Sequence, residues 1–253
     1  AGGDVVLDLA AELMTSVLFG NEVVRGIENV TGTSLDDVIR GNASDNIFTG
    51  GIGNDTLEGR GGDDSLIGGA GADSLYGGDN NDFLGGGNND DFLDGGDGDD
   101  VLRGGLGANA MDGGDGTDTL DYTAALAAVS VDLDNDQVLK SSDSQLDTYS
   151  DFENLLGSNF DDVFALDASS LLAIDTQFDS IDGGSNAAGG DTVEVTGSIT
   201  FDGLEMANVF DNIENIDFLG AALDGGNPTF TITGDDVSSM VGSSNFLHMD
   251  VGA

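Results

Sequence analysis

The sequence predicts an all-β protein whose centre is a stack of coils made from short parallel strands. Two observations lead to this prediction. A nine-residue repeat runs without interruption from Gly32 to Asp121, and every repeat has glycine at its first position and a large apolar residue at its eighth. Such periods are typical of solenoids, in which one unit cannot bury its apolar residue alone but a stack of units can. Strand-rich segments are expected on both sides of the stack.

Three positions define the register of the repeat: position 1 is glycine, position 6 is Asp or Asn, and position 8 is apolar. In chain order, position 6 is occupied by Asp37, Asn46, Asp55, Asp64, Asp73, Asp82, Asp91, Asp100, Asn109 and Asp118. Position 8 is occupied by Ile39, Phe48, Leu57, Leu66, Leu75, Leu84, Leu93, Leu102, Met111 and Leu120. Agreement at all three positions over ten repeats is not a coincidence.

Each repeat is predicted to form a turn followed by a strand. Glycine at positions 1, 2 and 4 gives the backbone access to positive φ, which a tight turn requires. Where position 4 is Asn80 or Asn89, it carries the next most tolerant residue type. Positions 7–9 form a short strand whose position-8 side chain faces away from its two neighbours. Two repeats therefore complete one coil, and stacked coils bury position 8 between two parallel sheets.

The composition is strongly acidic. Of 253 residues, 49 are Asp or Glu and only 5 are Lys or Arg, which gives a formal net charge of −44. This charge excludes nucleic acid as a direct partner, because phosphate contacts need basic side chains. It also disfavours anionic membrane surfaces, and no apolar run is long enough to insert into a bilayer. Cysteine is absent, which excludes thiol chemistry and disulfides. The acidic side chains are therefore either a solvated tract or ligands for cations, and the glycine register with its apolar ladder favours ligands.

The position-6 residues are predicted to bind these cations. Turns of alternate repeats stack about 4.8 Å apart, and two carboxylates ~4 Å apart repel by roughly 4 kcal/mol at an effective dielectric of 20. Carboxylate and turn carbonyl oxygens together favour Ca²⁺ over Mg²⁺ or Zn²⁺. We expect about six to eight Ca²⁺ ions in the array. The Asn46/Asp64 and Asp91/Asn109 pairs are expected to be weaker or empty.

Residues 50–103 and 113–121 closely match the nonapeptide G-G-x-G-x-D-x-U-x, and through this motif the sequence resembles the RTX (repeats-in-toxin) family. The resemblance implies a parallel β-roll, a calcium-bound β-solenoid in which position-6 Asp side chains and turn carbonyls hold Ca²⁺. It also implies a bacterial protein that is exported by type I secretion, without a cleaved N-terminal signal peptide, and that folds in extracellular calcium. We expect a fragment of a large surface protein or adhesin.

A longer internal repeat, termed a cassette, predicts the organisation of the rest of the chain. Residues 27–39 align without a gap to residues 152–164. In the second cassette Asp162 and Asp191 take position 6, and we expect at most one or two further Ca²⁺ ions there. The predicted parts are the end of a preceding cassette (1–31), the ten-repeat β-roll (32–121), a connecting segment with the opening of the second cassette (122–164), and a degenerate RTX-like β segment (165–253).

A further acidic cluster has two interpretations. Asp132, Asp134, Asp136 and Asp143 have a spacing like that of an EF-hand calcium loop. However, Gln137 stands where the sharp turn of such a loop needs glycine. A polar connecting loop is the preferred interpretation, and a calcium site is the alternative.

The sequence predicts a protein that is not an enzyme. It contains no H-E-x-x-H, G-x-S-x-G or P-loop motif, and its single histidine, His248, has no catalytic partner near it in the sequence. Ice binding is disfavoured, because no outward position carries a row of Thr or Asn. We expect a calcium-binding structural module of a secreted bacterial surface protein, such as an adhesin, a surface-layer protein or a filament component. The alternative is the calcium-dependent, non-catalytic C-terminal module of a secreted RTX enzyme or toxin.

Four outward side chains raise the question of self-association. Positions 7 and 9 are expected to be polar, yet Ile67 and Phe83 are neighbours on one sheet, and Tyr76 and Phe92 are neighbours on the other. Exposed apolar patches usually mark contacts. Self-association through these side chains and packing against flanking parts of the same chain both remain open.

Overall fold

The computed structural model describes residues 5–8, 13–16, 20–23, 27–167, 180–184, 190–196, 210–211, 213, 215–219 and 248–251. Within these ranges every element of regular secondary structure is a β-strand. The described residues contain no helix that is long and apolar enough to cross a membrane. The chain separates into two compact units. The roll unit comprises residues 1–121 and 145–152, and the second unit comprises residues 122–144 and 153–253.

The strands are numbered along the chain. The first fourteen are β1 (Val5–Asp8), β2 (Leu13–Ser16), β3 (Gly20–Val23), β4 (Asn29–Thr31), β5 (Val38–Arg40), β6 (Ile47–Ile52), β7 (Thr56–Gly61), β8 (Ser65–Ala70), β9 (Ser74–Asp79), β10 (Phe83–Asn88), β11 (Phe92–Asp97), β12 (Val101–Gly105), β13 (Ala110–Asp115) and β14 (Thr119–Asp121). They are followed by β15 (Val129–Asp132), β16 (Gln137–Lys140), β17 (Leu146–Ser150), β18 (Asn154–Leu156), β19 (Val163–Asp167), β20 (Ser180–Asp182), β21 (Thr192–Thr196), β22 (Phe210–Asp211), β23 (Asn215–Leu219) and β24 (His248–Val251).

The roll unit consists of two sheets. One has the strand order β17-β13-β11-β9-β7-β5-β1-β2-β3, and the other has the order β14-β12-β10-β8-β6-β4. Strands of alternate repeats pair in parallel, so that Leu57 pairs with Leu75 and Leu66 with Leu84. All ten position-8 side chains are buried, nine of them completely. These observations confirm the predicted all-β fold and its parallel β-roll.

Strands β6 to β13 of the roll are longer than the three residues predicted. Strand β8, for example, continues from position 7 of one repeat to position 3 of the next. The glycines permit this extension, because Gly69 has a φ of +119° and pairs with Gly87 in the ladder. A Cβ atom on Gly69 would lie only 2.3 Å from the carbonyl oxygen of Gly51 in the preceding coil. Close stacking of the backbones therefore requires glycine at position 2 in the middle of the roll.

The roll also contains a strand that the sequence pattern did not predict. After Asp121 the chain leaves the roll unit, and it returns at residue 145. Strand β17 then pairs in parallel with β13, which places Tyr149 beside Met111 in the row of position-8 side chains. Tyr149 is buried like the residues of the repeats. An eleventh strand of the repeat pattern is thus supplied after an insertion.

The second unit has the strand orders β16-β15-β19-β21-β23-β24 and β18-β20-β22. Its described core includes Phe164, Ile181 and Val193, which are fully buried. Strands β15 and β16 form an antiparallel hairpin. His248 lies in β24.

The hairpin contains most of the EF-hand-like cluster. In its turn, Asp132 accepts hydrogen bonds from the backbone N–H of Asp134 at 3.1 Å and from the side-chain amide of Asn135 at 2.9 Å. Asp136 has a φ of +53° in the same turn. The carboxylate of Asp132 thus stabilises a hairpin turn, which favours the interpretation of a polar connection over that of a calcium loop.

Candidate metal centres

The turns of the roll stack on two edges. With repeat 1 beginning at Gly32 and repeat 10 at Gly113, the odd edge contains the turns of repeats 1, 3, 5, 7 and 9, and the even edge contains those of repeats 2, 4, 6, 8 and 10. On each edge the backbone N–H of position 6 donates to the Oδ1 atom of position 6 two repeats later. The N–H of Asp64 donates to Asp82 at 2.7 Å, and the N–H of Asp82 donates to Asp100 at 2.7 Å. Stacked backbone amides therefore hold the side chains in two ladders.

The second carboxylate oxygen of these residues has no hydrogen-bond donor in the middle of the roll. The Oδ2 atoms concerned are buried and belong to Asp55, Asp64, Asp73, Asp82 and Asp100. Each of these side chains is at most 3% exposed. A buried charged oxygen without a partner is strongly unfavourable, and the penalty is removed when a cation binds to it. Five oxygens are thus in the chemical state that a metal ligand would have before the metal binds.

Glycine at position 1 creates the space beside each of these oxygens. A Cβ atom on Gly77 would lie 2.3 Å from the Oδ2 atom of Asp82 and 2.5 Å from the carbonyl oxygen of Gly95. A Cβ atom on Gly59 would likewise lie 2.1 Å from the Oδ2 atom of Asp64 and 2.7 Å from the carbonyl oxygen of Gly77. A carboxylate oxygen and a carbonyl oxygen of the next coil thus converge where no side chain intrudes. We call the gap between two successive turns on one edge an interval.

The donor set fits a hard cation. Within the residues that the structure describes, no group of three or more His, Cys, Asp or Glu side chains gathers around one point. A bound ion would therefore rely on backbone carbonyl oxygens as well as on carboxylates. Six or more oxygen ligands in flexible loops are what Ca²⁺ prefers, whereas Zn²⁺ prefers nitrogen and sulfur ligands. The turns of the roll fit Ca²⁺.

The same burial changes the protonation of the carboxylates when no metal is bound. Burial raises the pKa of Asp64, Asp73 and Asp100 to about 6, although a backbone hydrogen bond to each carboxylate opposes the shift. For Asp82, burial and the neighbouring carboxylates raise the pKa to about 7. The pKa of Asp55 is raised for the same reason. Without a cation, the ionised form of these side chains is disfavoured in the folded state.

Comparison with known families agrees with this chemistry. The family model of the RTX calcium-binding nonapeptide repeat, which describes four copies, matches residues 24–57, 31–66, 49–84, 58–93 and 85–120. Residues 24–120 are RTX calcium-binding repeats. A comparison with curated proteins gave no match. RTX repeats bind Ca²⁺, so this part of the chain is a calcium-binding structural module, and RTX modules are generally non-catalytic.

Not every turn with a position-6 aspartate presents a carboxylate oxygen without a donor. In repeat 1, the backbone N–H of Thr33 donates to the Oδ2 atom of Asp37 at 2.5 Å. In the second unit, the N–H of Ser158 donates to the Oδ2 atom of Asp162 at 2.6 Å. Thr33 and Ser158 stand at position 2, and neither has the positive φ that position 2 shows in repeats 3–10. We call such a turn a capped turn, because its own backbone satisfies the carboxylate.

The remaining predicted ligands also lie in the ladders. The side chain of Asn46 is capped by the N–H of Asn42 at 3.0 Å. Three other ladder residues accept a hydrogen bond from the backbone N–H of the preceding turn. Asn109 accepts from Asp91 at 3.0 Å, Asp118 from Asp100 at 2.7 Å, and Asp191 from Asp162 at 2.6 Å. All are buried. The structure thus brings every predicted position-6 residue of the roll into one of two rows, and brings Asp162 and Asp191 together in the second unit.

The pattern missed one buried ladder residue. Asp147, the second residue of β17, is fully buried, and its Oδ1 atom accepts the N–H of Asn109 at 2.8 Å. It therefore extends the odd edge by one interval. The local sequence Asp147-Thr148-Tyr149 does repeat the order aspartate, any residue, apolar residue. The insertion before it breaks the nine-residue spacing by which such residues are recognised.

Position 5 forms a second ladder that the sequence analysis did not predict. The N–H of Asn81 donates to Asp63 at 3.2 Å, and the N–H of Asp63 donates to Asp45 at 3.0 Å. The direction is opposite to that of position 6, because the acceptor lies in the preceding turn on the same edge. These side chains are exposed. Asp and Asn at position 5 therefore stabilise the turns through backbone contacts while they remain in contact with solvent.

The two outward pairs of apolar side chains differ. Tyr76 and Phe92 are 38% and 39% exposed, and their ring centroids are 5.7 Å apart with the planes tilted by 51°. This pair forms a patch on the surface of the sheet that contains β9 and β11.

Ile67 and Phe83, on the other sheet, are half-buried. They lie over Gly85, where a Cβ atom would be 3.0 Å from Ile67 and 3.7 Å from Phe83. The guanidinium of Arg103 lies 5.6 Å from the centre of the Phe83 ring. This second pair already has packing partners within the roll.

Proposed function

We propose that this chain is a calcium-dependent structural segment of a secreted bacterial surface protein, such as an adhesin, a surface-layer protein or a filament component. The observation that carries the proposal is the set of five buried Oδ2 atoms on the two edges that lack a donor, each beside a backbone carbonyl of the next coil. A fold that buries unsatisfied carboxylates is unstable by itself. Binding of Ca²⁺ satisfies these oxygens, and the metal-bound turns then become the main stabilising feature of the roll.

The number of ions follows from the intervals in which a carboxylate oxygen faces a carbonyl of the next coil. Repeats 3–8 provide such oxygens, and Asp118 extends the even edge. We therefore propose about six to eight Ca²⁺ ions in the roll. We leave Asp37 out of this number, although the sequence pattern includes it, because its Oδ2 atom already accepts a hydrogen bond.

The Asp162/Asp191 interval is proposed as a weaker site in the second unit. Both carboxylate oxygens of Asp162 accept hydrogen bonds, from Val129 and from Ser158. Burial nevertheless raises the pKa of Asp162 against the effect of these bonds. An ion at this position would have to compete with the donors that already satisfy the carboxylate.

An extracellular location follows from the calcium requirement. RTX repeats occur in extracellular proteins that are exported by type I secretion. In calcium-poor cytoplasm, a chain with a net charge of −44 repels itself and stays extended. Outside the cell, Ca²⁺ neutralises the ladders and the chain folds. The acidity thus supports export as an unfolded chain followed by folding at the cell surface.

The exposed pair Tyr76 and Phe92 is proposed as a self-association contact. Its two exposed rings form an apolar patch, which supports an assembling protein over a solitary module. The pair Ile67 and Phe83 is proposed as an internal cover of Gly85 instead, because its atoms already lie within contact distance of that glycine's Cβ position.

Far-UV circular dichroism with and without calcium tests the proposed function. The chain is expected to be largely unfolded after chelation and rich in β-structure in millimolar Ca²⁺, with Mg²⁺ at the same concentration as the control. Magnesium is expected to be a poor substitute, because it requires near-octahedral geometry and loses its water reluctantly. A spectrum that does not change on addition of calcium would contradict the proposal.

A further inference from the structure

Arg60 is the one residue that breaks the glycine pattern at position 2 in repeats 3–10. It has a φ of +82°, in a region that residues with a Cβ atom rarely adopt. Glycine at this position would be free of that strain. The arginine side chain must therefore contribute an interaction that offsets the unfavourable backbone.

The guanidinium of Arg60 reaches back towards the start of the even edge. Its Nη1 atom donates to the carbonyl oxygen of Gly41 at 3.1 Å. The Nη1 and Nη2 atoms also donate to the two carboxylate oxygens of Asp8 in β1, at 3.0 Å and 3.1 Å. Gly41 opens repeat 2, and Arg60 belongs to repeat 4. The side chain therefore bridges the two turns between which the later repeats present a calcium interval.

This interval has the space of the others but lacks their charge. A Cβ atom on Gly41 would lie 2.2 Å from the Oδ1 atom of Asn46 and 2.2 Å from the carbonyl oxygen of Gly59. The neutral Asn46 takes the place of the aspartate, and its Oδ1 atom is capped by Asn42. No carboxylate oxygen without a donor faces the next coil here. The interval therefore lacks the carboxylate ligand that a divalent ion needs, whereas the guanidinium of Arg60 already provides a single positive charge beside it.

Only the start of the edge can accept such a side chain. A Cβ atom on Gly78, the next position-2 residue along the even edge, would lie 2.4 Å from the carbonyl oxygen of Arg60. One on Gly96 would lie 2.2 Å from the carbonyl oxygen of Gly78. Repeat 2 has Asn42 at position 2, without a positive φ, and Arg60 stacks on this different turn. On the even edge, the arginine is therefore accommodated where repeat 4 stacks on the different turn of repeat 2.

Further ion pairs join the first coil, which consists of repeats 1 and 2, to the rest of the roll. Arg40 in β5 donates to Glu58 in β7 at 2.9 Å, and the Nε atom of Arg60 is 4.0 Å from the same carboxylate. Together with the Arg60–Asp8 pair, these contacts connect β1, β5 and β7. Both turns of the first coil, at Asp37 and at Asn46, are capped. The beginning of the roll is thus held by cations of the protein itself.

We propose that the guanidinium of Arg60 takes the place of a calcium ion between repeats 2 and 4, so that the first coil is attached to the roll without calcium. This inference rests on the proposed function, in which the later intervals bind Ca²⁺. The roll then has a calcium-independent clamp at one end and calcium-dependent coils after it.

The test restores the RTX turn of repeat 2 and then removes the arginine. Asn42→Gly, Ser44→Gly and Asn46→Asp together give repeat 2 the glycines and the aspartate of the later repeats. We expect this triple variant to bind the same number of Ca²⁺ ions as the original chain, as measured by isothermal titration calorimetry and native mass spectrometry. Addition of Arg60→Gly is expected to raise the number by one. Arg60→Asn, which also tolerates positive φ, is a second variant should the first fold poorly.

Arg103→Gly in the same triple variant is the matched control, because it removes an equal charge from the face of a sheet. It is expected to leave the number of ions unchanged. A gain of one ion while Arg60 is still present, no gain after its removal, or an equal gain with Arg103→Gly would each overturn the inference. If the original chain binds no Ca²⁺ at all, the proposed function fails, and that outcome is distinct from the other three.

Discussion

Repeats 1 and 5 carry the same aspartate in the same ladder, yet their carboxylates are in opposite states. Asp37 accepts the N–H of Thr33 at its Oδ2 atom, whereas the Oδ2 atom of Asp73 has no hydrogen-bond partner. Both side chains are buried. The difference lies at position 2, where Thr33 has no positive φ and Gly69 has a φ of +119°. An aspartate at position 6 is therefore not enough to present a metal ligand, and the backbone of position 2 decides whether its second oxygen is available.

The largest expected effect comes from replacing the position-2 glycine of repeat 5. Gly69→Ala places a Cβ atom near 2.3 Å from the carbonyl oxygen of Gly51 at a positive φ. The clash and the strain together should lower the free energy of unfolding by about 2–5 kcal/mol. Urea denaturation in saturating calcium measures this change.

The matched control is Thr33→Gly with Leu35→Gly, which gives repeat 1 glycine at positions 2 and 4. It should leave the free energy of unfolding within about 1 kcal/mol of the original value, and it should add one Ca²⁺ ion beside Asp37. If Gly69→Ala were as harmless as the control, position 2 would not govern the turn.

An intermediate effect is expected from pH in the absence of calcium. Burial raises the pKa of Asp64, Asp73 and Asp100 to about 6 and that of Asp82 to about 7, above the value of 3.8 of an ordinary aspartate. Between these values the folded state binds more protons than the unfolded state, so the stability of the calcium-free fold decreases as the pH rises from about 4 to 7. Circular dichroism of the calcium-free chain should show more β-structure at pH 5 than at pH 8.

Folding driven by calcium should have the opposite pH dependence, because protons compete with Ca²⁺ for the same carboxylate oxygens. The calcium concentration at the midpoint of folding is therefore expected to increase as the pH falls from 8 to 5. A calcium-free chain whose spectrum is the same at both pH values would show that the carboxylates are not buried in the way described.

The smallest effect concerns the two faces of the roll. Phe92→Ser removes one ring of the exposed pair and should reduce self-association in calcium, as seen by light scattering, with no change in the number of bound ions. Phe83→Ser removes the cover of Gly85 and the ring beneath Arg103, so it should lower stability without changing association. If the Phe92→Ser variant associated as strongly as the original chain, Tyr76 and Phe92 would not form a self-association contact.

The sequence predicts the roll well because its structure is periodic. One apolar residue every nine positions determines both the buried ladder and the parallel pairing of alternate repeats, so Leu57 and Leu75 can be placed without further information. The same period identifies the position-6 side chains. Capping is not visible in this pattern, because it depends on the φ angle of Thr33 and of Ser158.

Features outside the period required the three-dimensional structure. Asp147 joins the odd edge only after an insertion, so its distance from Asn109 along the chain carries no information about the contact. The position-5 ladder depends on backbone groups that no residue pattern specifies. The bridge from Arg60 to Asp8 links residues 52 positions apart. Each of these contacts arises from how coils stack, which is a tertiary property.

Location of the bound ions tests the central claim most directly. Crystals grown in calcium chloride would give anomalous scattering from Ca²⁺, and peaks are expected about 2.3–2.6 Å from the Oδ2 atoms of Asp55, Asp64, Asp73, Asp82 and Asp100. No peak is expected at the Oδ2 atom of Asp37, where the N–H of Thr33 takes its place. Water instead of Ca²⁺ at the five Oδ2 atoms, or Ca²⁺ at Asp37 with that hydrogen bond intact, would contradict the account.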